Sequence, residues 1–228
     1  MKKIIIKTAL ITLGVVVGCA VAVFAILSFG FPSTVCGWCE QLGNYGFAAR
    51  YAALCYSYTD DISDLGRCVE DSILADDNDY IAEYAVRLID HEEFDSFCEI
   101  RDEEINESIS DNEDNIDFSD VVFSYRHYVY GALSTTYYGA GNFDLALGTA
   151  VAALDENIDR VDFSSSAYSG EITEFPISNA LGVLAQRVIY AGDSGAADRL
   201  LEVLDNVSAD AESQAMYLQT IINSLTQL

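Results

Sequence analysis

The sequence predicts an all-α fold of paired helical hairpins, preceded by one transmembrane helix. Three observations lead to this prediction: a long uncharged apolar run near the N-terminus, apolar and small residues recurring at helical spacing, and turn sequences between these stretches. The chain has 228 residues, of which 51% are hydrophobic. This composition is enough for a buried core and too apolar for a disordered protein.

The N-terminal apolar run extends from Ala9 to Phe31 without a charged residue. A helix rises about 1.5 Å per residue, so this run is long enough to cross a hydrocarbon layer of about 30 Å. Basic residues that flank a span stay on the cytoplasmic side, and all lysines of the chain precede the run: Lys2, Lys3 and Lys7. Residues 1–31 are therefore predicted to be a single-pass anchor in the cell membrane, with residues 32–228 outside the cytoplasm.

Two alternatives for this segment remain open. The charged start and the run Ala20-Val21-Ala22 are compatible with a cleaved signal peptide, although the apolar run is longer than such peptides use. Val16-Val17-Gly18-Cys19 resembles the cleavage box of a bacterial lipoprotein, in which Cys19 is lipidated. The basic start also indicates a bacterial cell envelope.

The rest of the chain is strongly acidic. From Pro32 onward it contains no lysine, eight arginines and all 37 acidic residues, a formal charge of −29. This charge disfavours nucleic acid and anionic headgroups as partners, and it attracts cationic peptides or divalent ions. An alternative is that the acidic surface serves only solubility.

The first two hairpins follow the apolar run. The first pairs Pro32 to Gln41 with Phe47 to Tyr56, and the second pairs Asp61 to Ala75 with Tyr80 to Asp90. Small or apolar residues lie on one face of the second helix in each pair. They are Ala48, Ala52 and Cys55 in the first hairpin and Ala82, Val86 and Ile89 in the second.

Two further hairpins and a final helix, Ala211 to Leu228, complete the chain. The third hairpin turns at Gly141-Asn142-Phe143, and the fourth turns at Gly192-Asp193-Ser194-Gly195. The recurring positions are Tyr130, Leu133, Tyr137, Ala146, Ala150 and Ala153 in the third, and Leu181, Leu184, Val188, Ala197, Leu201 and Leu204 in the fourth. Two insertions, 101–120 and 155–176, are predicted to be solvated loops, the first with room for a helical turn.

These hairpins resemble tetratricopeptide repeats, whose 34-residue units carry an aromatic residue, Leu-Gly and Tyr on the first helix and small residues on the second. The third hairpin matches best, with Ser134 in place of the usual Gly, and the other units are degenerate. The resemblance implies a TPR-like superhelix with a concave groove for extended or helical peptides. It places these residues in the groove: Gln41, Arg67, Asp71, Tyr128, Thr135, Tyr138, Asn179 and Gln186. The alternative for Tyr128 and Tyr138 is packing against neighbouring helices.

Cysteines give the main alternative function. Cys36-Gly37-Trp38-Cys39 has the C-x-x-C spacing of thiol-disulfide oxidoreductases, so an envelope enzyme using Cys36 and Cys39 is the second hypothesis. The βαβ context of such enzymes is missing from the pattern. A zinc site that joins these two cysteines to Cys55 and Cys68 has one pair at suitable spacing and one pair twelve residues apart.

Other chemistry lacks necessary parts. The acidic stretch 111–117 has carboxylates at alternate positions, but Ile116 and Val122 stand where a calcium-binding EF-hand needs Gly and Glu. The chain has only His91 and His127 as imidazole bases, and no G-x-S-x-G motif. The sequence thus predicts a membrane-anchored scaffold that binds a protein or peptide, with no catalytic residue, metal ligand, cofactor or small-molecule substrate. A passive acidic or calcium-responsive surface protein is a third hypothesis.

Overall fold

The computed structural model of the chain describes residues 2–110, 123–153, 180–207, 223 and 225–227. Side chains are described for these residues except 2–11, 20, 24, 27–28, 109–110 and 203–207. The described residues form ten α-helices and no β-strand, which confirms the all-α class. The chain divides into two compact units, Met1–Tyr80 and Ile81–Leu228.

The helices follow one another through short turns wherever the connections are described. The first unit contains α1 (Lys2–Gly30), α2 (Pro32–Gln41), α3 (Tyr45–Thr59) and α4 (Ile62–Leu74). The division at Tyr80 falls in the first turn of α5 (Asn78–Ile89). The second unit continues with α6 (Phe94–Ser110), α7 (Tyr125–Gly139), α8 (Phe143–Ala152), α9 (Ala180–Ala191) and α10 (Ser194–Val207).

The N-terminal helix α1 is a single helix of 29 residues. All of its described side chains are exposed, among them Val16, Val23 and Phe29. Within the part of the chain that the structure describes, no helix is identified as having both the length and the apolar character of a membrane span. The anchor stays a prediction.

In the first unit α3 packs against α2 and α4. The α3 face that carries Ala48, Ala52 and Cys55 is buried, as predicted. The turn into α4 explains why α3 ends where it does: Asp60 has φ 53°, and Asp61 accepts a hydrogen bond from the Ser63 backbone nitrogen at 2.8 Å. This side-chain bond caps the first turn of α4.

In the second unit α7 packs against α8 and α9, and α9 also contacts α10. The predicted buried residues of α8 and α9 are confirmed as core: Ala146, Ala150, Ala153, Leu181, Leu184 and Val188. The chains of α7 and α9 approach closely at Gly131, where a Cβ atom would lie 3.4 Å from the Ala180 Cα atom. Adjacent packed helix pairs of this kind are compatible with a helical repeat.

In two of the helix pairs, the same kind of side-chain hydrogen bond joins the first helix to the second. Cys36 Sγ on α2 donates a hydrogen bond to the Ala48 carbonyl oxygen on α3 at 3.3 Å, and Ser134 Oγ on α7 donates to the Ala146 carbonyl oxygen on α8 at 2.7 Å. Both contacts join residues twelve positions apart and are buried. Short side chains are required at such positions because longer ones would separate the two helices.

The structure corrects two sequence-based expectations. On α5 the buried residues are Ile81, Ala85 and Leu88, while Ala82, Val86 and Ile89 are only half-buried, so the buried face is shifted by one residue. Ala48 and Ala82 are 34 residues apart in the sequence, but Ala48 is buried and Ala82 is only half-buried.

The second correction concerns 101–120, because α6 continues through 101–110. Polar side chains there hold the start of α7. Asp102 accepts a hydrogen bond from the Tyr125 backbone nitrogen at 2.5 Å, and Asn106 bonds both backbone polar groups of Phe123. Residues 111–120, the insertion 155–176 and most of the predicted final helix lie outside the described residues.

Candidate functional site

The predicted groove residues of the first unit lie on α2 and α4. Gln41 is exposed at the end of α2, and Arg67 is half-buried. Asp71 is only 4% exposed. Its carboxylate therefore points into the unit, and only Gln41 and part of Arg67 face solvent.

The predicted groove residues of the second unit lie on α7 and α9. Tyr128, Thr135, Tyr138 and Gln186 are half-buried, and Asn179 lies outside the described residues. Each of the four therefore keeps some surface that a partner can contact. Their role in binding stays a prediction.

Both tyrosines also make contacts within the unit. The Tyr128 ring lies 5.8 Å from the Phe123 ring and 6.1 Å from the Tyr125 ring, measured between centroids. The Tyr138 ring meets the Phe143 ring edge-on at 6.2 Å, and its hydroxyl donates to Asp193 Oδ2 at 3.3 Å. The Phe143 ring lies on α8, so for Tyr138 the alternative of packing against a neighbouring helix has support. Phe123 and Tyr125 lie just before or within α7 itself, so these contacts of Tyr128 do not test that alternative.

A second group of polar side chains lies between α2 and α4. We call it the α2–α4 polar cluster; it consists of Cys36 and Glu40 on α2 and Arg67 and Asp71 on α4. The members are four residues apart on each helix, so each pair occupies one helical face. Arg67 donates from Nε to Glu40 Oε1 at 2.5 Å and from Nη2 to Glu40 Oε2 at 2.7 Å. This bidentate ion pair links the two helices.

The cysteine and aspartate of the cluster are its most buried members. Cys36 Sγ lies 3.6 Å from Glu40 Oε1 and 3.8 Å from Asp71 Oδ2. The hydrogen bond from Arg67 lowers the pKa of Glu40. Burial, and then repulsion from Glu40, raises the pKa of Asp71 to about 7. The cluster therefore holds one carboxylate as a stable anion and disfavours charge on the other.

The C-x-x-C cysteines are thiols in this structure, as are the other four cysteines. Cys36 is fully buried, and burial raises its pKa far above the usual value for a thiol. Burial also raises the pKa of Cys39, which is half-buried. Disulfide exchange requires an accessible thiolate, and this environment favours the protonated thiol at both positions.

The possible metal ligands differ from those considered in the sequence. Among the described residues, the group whose donor atoms lie close enough to share an ion is Cys36, Glu40 and Asp71, within 4.8 Å of one another. Cys55 and Cys68 are not part of it. The acidic stretch 111–117 lies outside the described residues. Glu40 was missed in the sequence, and the signal for it was its position four residues after Cys36.

The second unit buries two basic side chains at the start of α7. Arg126 forms an ion pair with Asp95 and lies over the Phe94 ring, 5.2 Å from its centroid. His127 is 2% exposed, and its Nδ1 accepts a hydrogen bond from the Ala180 backbone nitrogen at 3.4 Å. Burial lowers the pKa of His127 to about 4, so the imidazole is neutral in the folded unit at neutral pH.

Compared with protein families, with curated proteins and with solved structures, the chain matches none.

Proposed function

We propose that the protein is a membrane-tethered, non-catalytic interaction module, in which TPR-like helix pairs outside the cytoplasm bind a cationic or amphipathic segment of a partner protein. The observation that carries this proposal is the contrast between α1, a 29-residue apolar helix with exposed side chains, and the acidic helices that follow it. The first part is suited to lipid, and the second to a soluble protein partner.

The exposed surface of α1 supports the tether. Among the described side chains of α1, eight large apolar ones are more than half exposed: Leu13 and Val15 are 60% exposed, and the others are Val16, Val17, Val21, Val23, Ile26 and Phe29. Leaving such surface in water costs about 25 cal/mol per Å², which a hydrocarbon environment removes. Phe31 and Trp38 are exposed just after α1, where aromatic residues favour the membrane surface.

If α1 is a membrane tether, introducing two positive charges near its middle should release the protein from membranes. Each arginine at a helix centre costs about 2.5–3.5 kcal/mol of insertion. In membranes washed with alkaline carbonate, the wild-type chain should stay in the pellet, and the Val16→Arg, Val23→Arg double variant should move to the supernatant. The matched control is Val16→Leu, Val23→Leu, which should stay in the pellet.

The mass of the membrane-extracted chain separates the tether from its alternatives. A tethered chain keeps residues 1–31, whereas a lipoprotein begins at a lipidated Cys19 and a cleaved protein lacks the segment. Release of the wild-type chain by carbonate would contradict the tether.

The spacing of twelve residues supports the TPR-like part of the proposal. Counting back twelve positions from the buried alanine of the second helix gives Cys36 from Ala48 and Ser134 from Ala146. In α9 and α10 the same count from Ala197 gives Ala185, and both are buried. Ser134 stands where the tetratricopeptide pattern has a small residue, so three helix pairs share this feature of the pattern.

Charge and exposure support a protein partner. Residues 32–228 carry a formal charge of −29, which attracts cationic segments and raises their association rate. Residues of the predicted groove on α7 and α9 keep part of their surface for such a segment. A tether also raises the effective concentration of the domain near other membrane components.

Positive charge introduced on the predicted groove should prevent partner capture. The bait is the full chain in mild detergent, and bound proteins are identified by mass spectrometry. We expect the Thr135→Arg, Gln186→Arg double variant to lose capture at least about tenfold, because each added charge repels a cationic partner. The control is Leu145→Arg on α8, an exposed position outside the predicted groove.

Capture should also weaken as salt is raised, since exposed charges are screened. Equal loss in the control and the double variant, or capture that ignores salt, contradicts the proposed groove.

A further inference from the structure

The geometry points to a site for a divalent transition-metal ion, of which zinc fits best, formed by the thiolate of Cys36 and the carboxylates of Glu40 and Asp71. All three residues belong to the first unit, and their donor atoms lie within 4.8 Å of one another. Two helices contribute, because Cys36 and Glu40 lie on α2 and Asp71 lies on α4. This inference does not rest on the proposed partner binding, although Arg67 and Asp71 were also predicted as groove residues.

Distances between the donor atoms fit zinc coordination. Zinc binds sulfur at about 2.3 Å and carboxylate oxygen at about 2.1 Å, so a tetrahedral site separates its sulfur and oxygen ligands by about 3.6 Å. Cys36 Sγ lies 3.6 Å from Glu40 Oε1 and 3.8 Å from Asp71 Oδ2. Both sulfur–oxygen distances are therefore already close to those of a tetrahedral zinc site.

The charges of the α2–α4 polar cluster also favour a cation. Arg67 makes both of its hydrogen bonds to Glu40, so Asp71 lies next to a thiol and a second carboxylate, and it is 4% exposed. Two carboxylates and one guanidinium leave one negative charge on the ionised cluster. A buried negative charge is costly unless a cation compensates it, and a metal ion between Glu40 and Asp71 does so.

Arg67 is compatible with the metal ion. A carboxylate has about four lone-pair sites, so Glu40 can accept hydrogen bonds from the guanidinium and still bind an ion. Hydrogen bonds to a ligating carboxylate hold it in position and strengthen metal binding. Arg67 is thus a positioning residue for Glu40.

When the metal ion binds, Cys36 exchanges a hydrogen bond for a bond between Sγ and the metal. The Cys36 thiol gives its proton to solvent, as does the Asp71 carboxyl group where it is protonated. The thiol ends its hydrogen bond to the Ala48 carbonyl oxygen, and bonds from Sγ and the carboxylate oxygens to the metal form. A water molecule completes the four-coordinate site. The thiolate selects zinc or a similar ion over calcium and magnesium, which prefer six or more oxygen ligands.

The test uses the purified full chain, kept reduced and stripped of metal with a chelator. Titration with Zn²⁺ against a competing chelator should give one tightly bound ion per chain. Titration with Co²⁺ should give the ultraviolet thiolate-to-cobalt charge-transfer band and the strong visible bands of a four-coordinate ion. An excess of Ca²⁺ should not displace either ion.

Two variants remove single ligands with little change in shape. Cys36→Ser keeps a donor for the Ala48 carbonyl oxygen, as Ser134 does for Ala146 in the second unit. Asp71→Asn keeps the volume of the side chain. Loss of an outer hydrogen-bond partner costs about 10–100-fold in metal affinity, so loss of a ligand should weaken Zn²⁺ binding by more than about 100-fold. Cys98→Ser, which changes another buried cysteine in the second unit, should bind as the wild type does.

Three results would overturn the proposal: no charge-transfer band in the wild type, unchanged Zn²⁺ affinity in Cys36→Ser and Asp71→Asn, or displacement by Ca²⁺. Each of them would exclude a metal site formed by Cys36, Glu40 and Asp71. Circular dichroism of each variant checks that it is folded. If Cys36→Ser does not fold, the wild-type cobalt spectrum and Asp71→Asn decide the question.

Discussion

Replacing Leu65 by alanine is expected to lower the free energy of unfolding by about 2–5 kcal/mol. Leu65 is 0% exposed on α4, the helix that packs against α3, and its removal leaves a cavity among side chains that cannot fully close around it. The measurement is urea unfolding of the purified full chain in mild detergent, followed by circular dichroism. The first unit should unfold at lower urea in the variant.

Leu74 provides a control on the same helix. It is 59% exposed near the end of α4, so Leu74→Ala deletes the same atoms without opening a cavity. Surface substitutions usually change the free energy of unfolding by less than about 0.5 kcal/mol. Equal effects of the two substitutions would show that α4 does not pack as described.

Acid is expected to destabilise the second unit through His127. The pKa of His127 is about 4 in the folded unit, below its ordinary value of 6.5, because burial disfavours the charged imidazole. Between these two values the unfolded chain binds the proton and the folded unit does not, so stability falls as pH is lowered from 6.5 to 4. The expected loss over this window is roughly 3 kcal/mol.

His127→Gln should remove this part of the pH dependence. The measurement is the free energy of unfolding at several pH values between 4 and 7, and the informative quantity is the difference between wild type and variant, because other acidic groups titrate in both. Val188→Ala is the control, since Val188 is also fully buried in this unit and carries no titratable group. We expect Val188→Ala to lower stability at every pH while keeping the wild-type slope. A His127→Gln variant with the wild-type slope would contradict the prediction.

Local patterns were sufficient to predict all of the described helices except α6, and much of the core. The bounds of α2 and the buried faces at Ala48, Ala52 and Cys55 follow from helical periodicity and turn residues. These signals lie within one or two turns of the chain. The sequence can therefore predict helical faces without knowing which helices become neighbours.

Contacts between distant segments explain the errors. The acidic composition of 101–110 indicates a solvated loop, but Asp102 and Asn106 are satisfied by backbone groups of Tyr125 and Phe123, about twenty residues further along the chain. These bonds fix the end of α6 to the start of α7. A sequence window of one or two helical turns does not contain both partners of these hydrogen bonds.

The α2–α4 polar cluster was predicted only in part, for the same reason. Arg67 and Asp71 were selected as groove residues, and Cys36 was selected for its C-x-x-C spacing. Their association with one another and with Glu40 depends on α4 lying beside α2, about thirty residues along the chain. Two pairs of polar residues at a spacing of four are common on exposed helices, so the sequence gives little reason to join these two.

The contact that spans twelve residues has a consequence for the ancestry of the chain. At equivalent positions the first helix carries a thiol in one pair, a hydroxyl in another and a methyl group in the third, from Cys36, Ser134 and Ala185. If the pairs arose by duplication, a small side chain has been kept at this position while the residue identity has changed. The relationship between the copies is then visible in the spacing of twelve residues, which comparisons of residue identity do not detect.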